Sequence, residues 1–583
     1  MDDMSLLTLN GTFGAVPFAE LHVFRIPGKT PVRLFADANL TDVIANPLKA
    51  DAVGNFRKCY VLDGTYFVEV RHRNGHMIHT ETNTVIHAEQ GEMPAGAIRE
   101  FASFDALMAE STLSYGTASH QVVTGARVRL TSSLQDYLVA SPNASDHHVT
   151  MPGGVKLYVC KRQDGSFVPH AFGAVGDGIT DDTAALQACL DAAINQGGMV
   201  ALGSATYRIL DQLNCVNADG LLIFGAGSGF DGPSQILCGT SMPDKALFRF
   251  EDCRNVRLRD FSVSCSAANN VKCAIEFTNG VGNATTPTHY FLDNLYLYST
   301  SAGTGMTNGV LFSQGAGGDA NNDFGQFHKV VVSNYDNAAV KIEHSQSREH
   351  RFLGCYFQTG AYGIDTNGYS FFWFGGNMSE HTSADFHLRR EQQSSLIQGL
   401  SSEQSARLLE TGGASAVDSY VTIQGVRYSA DFLHADERVI RFQHRGALVL
   451  GGNVFGTRTD SNLCKVQVAP IGNKGCSFIS QGNTWGGQGS LRASPYQIGL
   501  SRGDRIRIAD TYVDDTTVID TAATFVDQDA TPSVFAHDFF ETANTVATTI
   551  TALDDAWPGK ITHILFGDAN TTVAFSSSPA LSG

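Results

Sequence analysis

Residues 172 to 209 read FGAVGDGITDDTAALQACLDAAINQGGMVALGSATYRI, and this stretch separates a front part from a long repetitive array. Gly173, Gly176 and Gly178 permit a tight turn with positive φ. The run Thr180 to Thr183 offers helix N-caps ahead of good helix formers, so a helix is expected to begin near Asp182. Leu186, Leu190, Ala193 and Ile194 recur at spacings of four and three, which gives that helix one apolar stripe to lay on a larger body. After Gly197-Gly198 the pattern turns into short apolar runs, Met199 to Leu202 and Tyr207 to Leu210, which read as strands. The helix is therefore a lid on whatever the strands build.

Working outward towards the C-terminus, a phrase recurs from Leu258 onward: an apolar residue, any residue, then Gly, Asn, Asp or Lys, then a strand. Its third positions are Asp260, Asn294, Lys329, Gly354, Gly376, Gly399, Gly425, Gly452 and Gly482, between 22 and 35 residues apart. That is the interval of a solenoid with one coil per repeat and loops that absorb the surplus. Coils stacked at about 4.8 Å place equivalent side chains in ladders. Asn377, Asn453 and Asn483 follow the turn position, where asparagine tolerates a left-handed backbone and bonds its neighbours. Phe352, Phe374, Val330 and Leu400 read as internal stacks.

The FGA-x-GDG-x-x-DD motif with its short helix resembles the opening of the pectate-lyase-like right-handed β-helix superfamily, in the form found in bacteriophage tailspikes. The resemblance implies an all-β chain built on a right-handed parallel β-helix. It also implies that Asp177, Asp181 and Asp182 form the cap and are not the active site.

Composition narrows the function. Net charge is −18 and no basic cluster is interleaved with aromatics, which argues against nucleic acid or an anionic membrane surface as partner. No apolar run reaches the roughly 18 to 20 residues of a membrane span, so no membrane insertion is expected. The N-terminus carries no basic region followed by an apolar core, hence no signal peptide is expected either. Eleven cysteines without C-x-x-C spacing read as reduced core thiols. No metal and no cofactor are expected.

The flanks read as separate modules. Residues 1–90 alternate strands and turns as a small β-sandwich, whose run VRLFADANLTDVIANPLKADAVGNF resembles N-terminal modules of phage tail proteins and so implies virion attachment. Residues 91–168 form a connector with a helix near Phe104 to Ser111, residues 169–505 the β-helix, and residues 506–583 a further β module. In that last module KITHILFGDANTTVAF resembles a C-terminal strand module of phage tails. The chain then breaks off in mid-pattern at SSSPALSG, which predicts further or processed residues.

Titratable residues gather in the middle coils. Setting Gly376 to Glu380 over Gly399 to Glu403, an offset of 23, predicts Glu380 and Glu403 as ladder neighbours about 5 Å apart. Such a carboxylate pair suits retaining glycoside hydrolysis, one as acid and one as nucleophile, with Asp385 nearby as a third catalytic candidate. The competing reading makes them solvated ladder residues neutralised by Arg389 and Arg390. Glu343, His381, Arg389, Trp373 and Tyr369 are the substrate-binding candidates. A lyase would instead use a cation and a base, for which Arg351, Arg389, His350 and His381 are available. Glu349, Asp365 and His387 lie in the same coils.

The expected protein is a tailspike in the virion tail, made in the host cytoplasm. It would bind and depolymerise a bacterial surface polysaccharide and contact phage tail or baseplate proteins through its N-terminus. Few charges, an apolar flank and no visible C-terminal cap predict closure as a homotrimer. The alternatives are a non-catalytic adhesive fibre and a free bacterial lyase or hydrolase.

Overall fold

The computed structural model describes residues 4–574 apart from 7–15, 27–28, 37–41, 58, 63, 87–98, 116–119, 267–269, 281–287, 302–304, 316–321, 413–416, 431–437, 458–465, 469–475, 488–495, 499–504, 513–522, 535–538, 555 and 557–561. The final SSSPALSG and Cys464 lie outside these residues. The chain forms two compact units, residues 1–173 and 174–583.

In the first unit, strand Glu20–Arg25 pairs antiparallel with Gly64–Arg71, which pairs in turn with Met77–Ile86, while Tyr60–Leu62 and Leu34–Phe35 belong to a second small sheet. Alternation decides the buried face: Leu21, Val23, Val68 and Val70 share one core with Val61 and Tyr66. Residues 99–159 build a separate five-stranded mixed sheet. Beside it lies the helix Phe104–Met108, where the Ser103 hydroxyl accepts from the Ala106 amide at 3.2 Å.

The second unit opens with the lid. Gly173 and Gly178 adopt φ of 100° and 75°, values closed to most side chains, and the helix Thr183–Gln196 follows. It buries Leu186, Cys189, Leu190, Ala192 and Ala193. Asp182 sits at the N-cap position but makes no side-chain cap. Its carboxylate instead accepts from the amides of Val175 at 2.6 Å and Gly176 at 3.1 Å, pinning the preceding loop. Asp181 supplies the cap by accepting from the Thr183 amide at 3.0 Å, and Asp177 closes its own turn on Ile179 and Thr180.

From there to Tyr512 nearly every pairing is parallel, in one ladder of about 30 strands that winds as a right-handed parallel β-helix. Each coil passes through three sheets. Strand Tyr356–Thr366 shows how: it bends at Thr359, φ 60°, so that 356–358 pair with Val331–Ser333 while 362–366 pair with Tyr335–Ile342. The interior is a column of aromatic and branched side chains. Phe250, Phe277 and Phe312 stack at 5.2 Å steps, and Phe327, Phe352 and Trp373 at 4.6 and 5.6 Å. At about 1.5–3 kcal/mol for each fully buried large apolar side chain, these columns supply the driving force for winding.

The repeat phrase marks a real corner. Asp260, Asn294, Lys329, Gly354, Gly399, Gly425, Gly452 and Gly482 all adopt φ between 49° and 67°. The phase is wrong at one coil only, where Gly375 and not Gly376 holds the equivalent corner, because its neighbours pair Phe352 with Trp373 and Leu353 with Phe374. Both glycines have positive φ, 65° and 83°, so the doubled glycine hides the register. Three expectations shift with it. Trp373 is interior at 0% exposure and Phe374 faces out, the reverse of the sequence reading. Asn377 leaves the asparagine ladder, which runs from Asn453 through Asn483 to Asp510 with side-chain bonds of 2.8 and 3.0 Å. The third shift falls on the candidate carboxylates.

The last residues form a short stack of their own. Strands Phe539–Glu541 and His563–Leu565 pair in parallel, as do Thr548–Ile550 and Thr571–Val573, over a core of Phe525, Val534, Phe540 and Ile550. Among the described residues no helix is long and apolar enough to cross a membrane.

Candidate functional site

Strand Asn377–Leu388 carries the densest chemistry, and its bend at Glu380, φ 59°, sends its two halves into different sheets. In the first half the register pairs Asn377 with Ser401, Met378 with Ser402 and Ser379 with Glu403. Glu403 therefore stacks on Ser379 and not on Glu380, a correction of one residue that follows from the Gly375 corner. Both glutamates are exposed. The Thr359 hydroxyl donates to Glu380 at 2.7 Å, and the Ser401 hydroxyl lies 3.5 Å from Glu403.

The second half turns two histidines to opposite sides of the wall. His381 points inward and is 0% exposed, with Nδ1 2.6 Å from Asp385 and Nε2 2.6 Å from the Tyr335 hydroxyl. The Ser402 hydroxyl donates to the other oxygen of Asp385, which is also 0% exposed. Burial and the neighbouring Asp385 carboxylate push the Tyr335 phenol well up. Neither His381 nor Asp385 can reach a polymer outside, which removes Asp385 from the catalytic candidates and His381 from the substrate-binding ones. Trp373 leaves that set too, packed edge-on against Phe357 and Phe386 inside the coil.

His387 points outward. Its register partners form a ladder of polar groups across five coils: Lys341, Asp365, His387, Glu410 and Arg441. His387 Nδ1 lies 2.9 Å from Asp365, and Nε2 lies 3.9 Å from Glu410. Tyr362 stacks flat on the imidazole at 4.6 Å. Arg389 Nε approaches the same Asp365 oxygen at 2.8 Å and donates from Nη2 to the Ile342 carbonyl at 3.1 Å. The contacts to Asp365 are close approaches and not in-line hydrogen bonds, since Asp365 Oδ1, His387 Nδ1 and Arg389 Nε all lack an aligned partner. Gly412 is required here, because a Cβ at that position would fall 2.4 Å from His387 Nε2.

Asp365 is buried and His387 and Glu410 half-buried: their side chains keep 7%, 16% and 14% of their surface. Glu410 is held from behind by Arg407, which is 1% exposed and donates from Nε to the Arg438 carbonyl at 3.0 Å. Burial, then the Glu410 charge, raises the Tyr362 phenol. Of the residues expected from sequence, Glu343 and Arg389 border this row, Glu343 through its contact with Lys341 at 3.4 Å. Tyr369 lies in the turn after Asp365, its phenol raised by a bond to Glu391. Glu410, Arg407 and Lys341 were missed; a correct coil alignment would have found Glu410 beside His387 and Lys341 beside Asp365, but not Arg407, which reaches Glu410 from three residues earlier. Among the described residues no group of three His, Cys, Asp or Glu is arranged to hold a metal ion.

No family model matches the chain. Over 78 residues it is 39% identical to a capsule KN3-specific depolymerase of Klebsiella phage KN3-1, a match that covers 13% of this chain and 10% of that protein. Among solved structures, the gp42 tailspike of Acinetobacter phage vb_AbaP_AS12 is similar over 76% of this chain and 81% of its own, with 10% identity and a TM-score of 0.46. The A-module of the Azotobacter vinelandii mannuronan C-5 epimerase AlgE6 is similar over 60% of this chain and 100% of its own, with 15% identity and a TM-score of 0.39.

Proposed function

We propose that this chain binds a bacterial surface polysaccharide and cleaves it, as a spike of a phage tail. The observation that carries this reading is the outward row Asp365–His387–Glu410, an imidazole held between two carboxylates on the flank of a β-helix. The short match to a capsule-specific depolymerase supports it. Tyr362 holds the plane of the imidazole, Asp365 lies against Nδ1 and Nε2 faces towards Glu410, which places the ring as an acid–base group. Asp365 and Glu410 sit two coils apart, roughly 10 Å at the backbone. His387 fills the space between them, so they do not face each other as the close pair of a retaining hydrolase does, and the imidazole is the group placed to activate a water for inversion. Glu343, Arg389 and Tyr369 border the row and supply hydroxyl contacts.

A second reading keeps Glu380 and Glu403 as the catalytic pair. It is favoured by their joint exposure on consecutive coils and by the Thr359 bond that fixes Glu380. The experiment incubates the protein with a panel of purified capsular and O-antigen polysaccharides, and follows reducing ends, unsaturated products and anomeric configuration. Inverted products lost in Glu410→Gln and retained in Glu380→Gln support the first reading, and the opposite pattern supports the second. Unsaturated ends make the protein a lyase, and no product at all leaves an adhesive spike. Assembly as a homotrimer belongs to the same proposal. Leu353 and Tyr420, both 52% exposed on the outer face of one sheet, give a neighbouring chain apolar surface to cover.

A further inference from the structure

The corner that leads into the first sheet of each coil repeats in four successive coils at Asn255, His289, Phe324 and Glu349, with φ of 55°, 62°, 61° and 62°. The amide of each of the first three bonds to a carbonyl of the next coil, Thr288, Asp323 and Arg348, at 3.0–3.1 Å, so the column is continuous. Asn255 occupies this left-handed position cheaply. A bulky aromatic does not, and strain of this kind persists where function holds it. Phe324 is the costly occupant of the column, and it stacks on the residue one coil before it: the His289 and Phe324 rings lie 5.0 Å apart and 20° from parallel, with His289 exposed.

A carboxylate lies at their edge. Asp323 is 4% exposed, accepts from the Arg348 amide at 3.0 Å and stands 3.9 Å from the Arg348 guanidinium. Burial raises its pKa, opposed by Arg348. Glu349, one residue on, pairs with Arg351 at 3.2 Å. An aromatic face bordered by carboxylates and a guanidinium is what a pyranose ring asks for: apolar C–H groups against the rings, hydroxyls to the charged edge.

We infer that the His289–Phe324 stack, edged by Arg348 and Glu349 with the buried Asp323 holding Arg348 from behind, is a saccharide-binding subsite separate from the Asp365–His387–Glu410 row, gripping a remote part of the same polymer. This rests on the reading of the chain as a polysaccharide-cleaving protein. Binding there would hold a long chain while the row acts on one bond, and would leave short fragments indifferent to it.

The test replaces Phe324 with Asn, the residue found at the same corner in the Asn255 coil. That change relieves strain, so the melting temperature holds or rises and a folding defect is excluded as the cause of any loss. On the polysaccharide that the parent cleaves, Phe324→Asn is expected to raise KM at least about tenfold with kcat within about twofold. Cleavage of a short oligosaccharide from the same polymer should be unchanged. Parental KM on the long polymer overturns the subsite while leaving the proposed function standing. A parent that neither binds nor cleaves any polysaccharide in the panel overturns both.

Discussion

Strand Asn377–Leu388 carries two histidines six residues apart, each set against an aspartate, one pair sealed inside the coil and one on its flank. His381 and Asp385 meet at 2.6 Å with neither exposed. His387 and Asp365 meet at 2.9 Å with a rim open to water. The chemistry of the two pairs is nearly the same, and direction alone separates a structural lock from a candidate catalyst. The bend at Glu380 and the irregular register between Gly360 and Tyr362 turn Asp385 inward although strict alternation would place it outside.

The largest effect is expected at the inner pair. Asp385→Ala leaves His381 and the Ser402 hydroxyl facing an empty position with no water to replace it, a loss of about 3–5 kcal/mol for breaking a buried polar pair. Equilibrium urea unfolding measures it, and activity per folded molecule should stay parental. A loss below about 1 kcal/mol would mean that the pair is wet and the inside–outside contrast false.

The outer pair should behave in the opposite way. His387→Ala and Glu410→Gln are expected to lower kcat/KM per folded molecule at least about a hundredfold, the low end for an acid–base group; stability holds within about 1 kcal/mol in His387→Ala, whereas Glu410→Gln also removes the charge that pairs the buried Arg407 and costs more. Gly412→Ala, which intrudes on His387 Nε2, should lower it by a smaller factor. Parental rates in both His387→Ala and Glu410→Gln would move the chemistry to Glu380 and Glu403.

The contrast also predicts a pH dependence. Two further histidines are interior: burial depresses His350 to about 3 and His444 to about 4. Each stays neutral in the folded coil while the unfolded chain takes up a proton near pH 6.5, so both contribute stability that is fully present above about 6.5 and falls as pH drops. By pH 5 the loss is about 2 kcal/mol for each, and it continues towards pH 3 to 4. Substituting His350 by Phe, which keeps an aromatic ring against Phe312, tilted to it at 4.6 Å, should flatten the acid limb. An unchanged limb would show that other groups set it.

What the sequence disclosed follows the same division. The lid was legible because a helix with capping aspartates and an apolar stripe is a local pattern, although the roles within it were not: Asp181 caps, and Asp182 pins the loop. The solenoid was legible because a left-handed corner needs glycine, asparagine or a similar residue at each turn, and eight of the nine corners sit where the phrase put them. The site was less legible. It depends on which residues in different coils lie side by side, and a slip of one residue moved Trp373 outside, Phe374 inside and Glu403 onto Glu380. Nor could alternation reveal that Asp385 turns inward, since the bend that turns it belongs to the coil and not to the strand.

The smallest effect tests that slip directly. Gly375 has φ 65° and nothing within 4 Å of where a Cβ would stand, whereas a Cβ on Gly376 would fall 2.1 Å from the Cys355 carbonyl oxygen. Asparagine takes the left-handed conformation at little cost and already does so at the equivalent Asn294 corner, φ 49°. Gly375→Asn is therefore expected to lie within about 0.5–1 kcal/mol of the parent. Gly376→Asn cannot be accommodated without moving the Cys355 backbone, and should cost several times more. Thermal melting of the two variants side by side reads the register directly. Equal costs, or the reverse order, would restore Gly376 as the corner, and with it the stacking of Glu380 on Glu403.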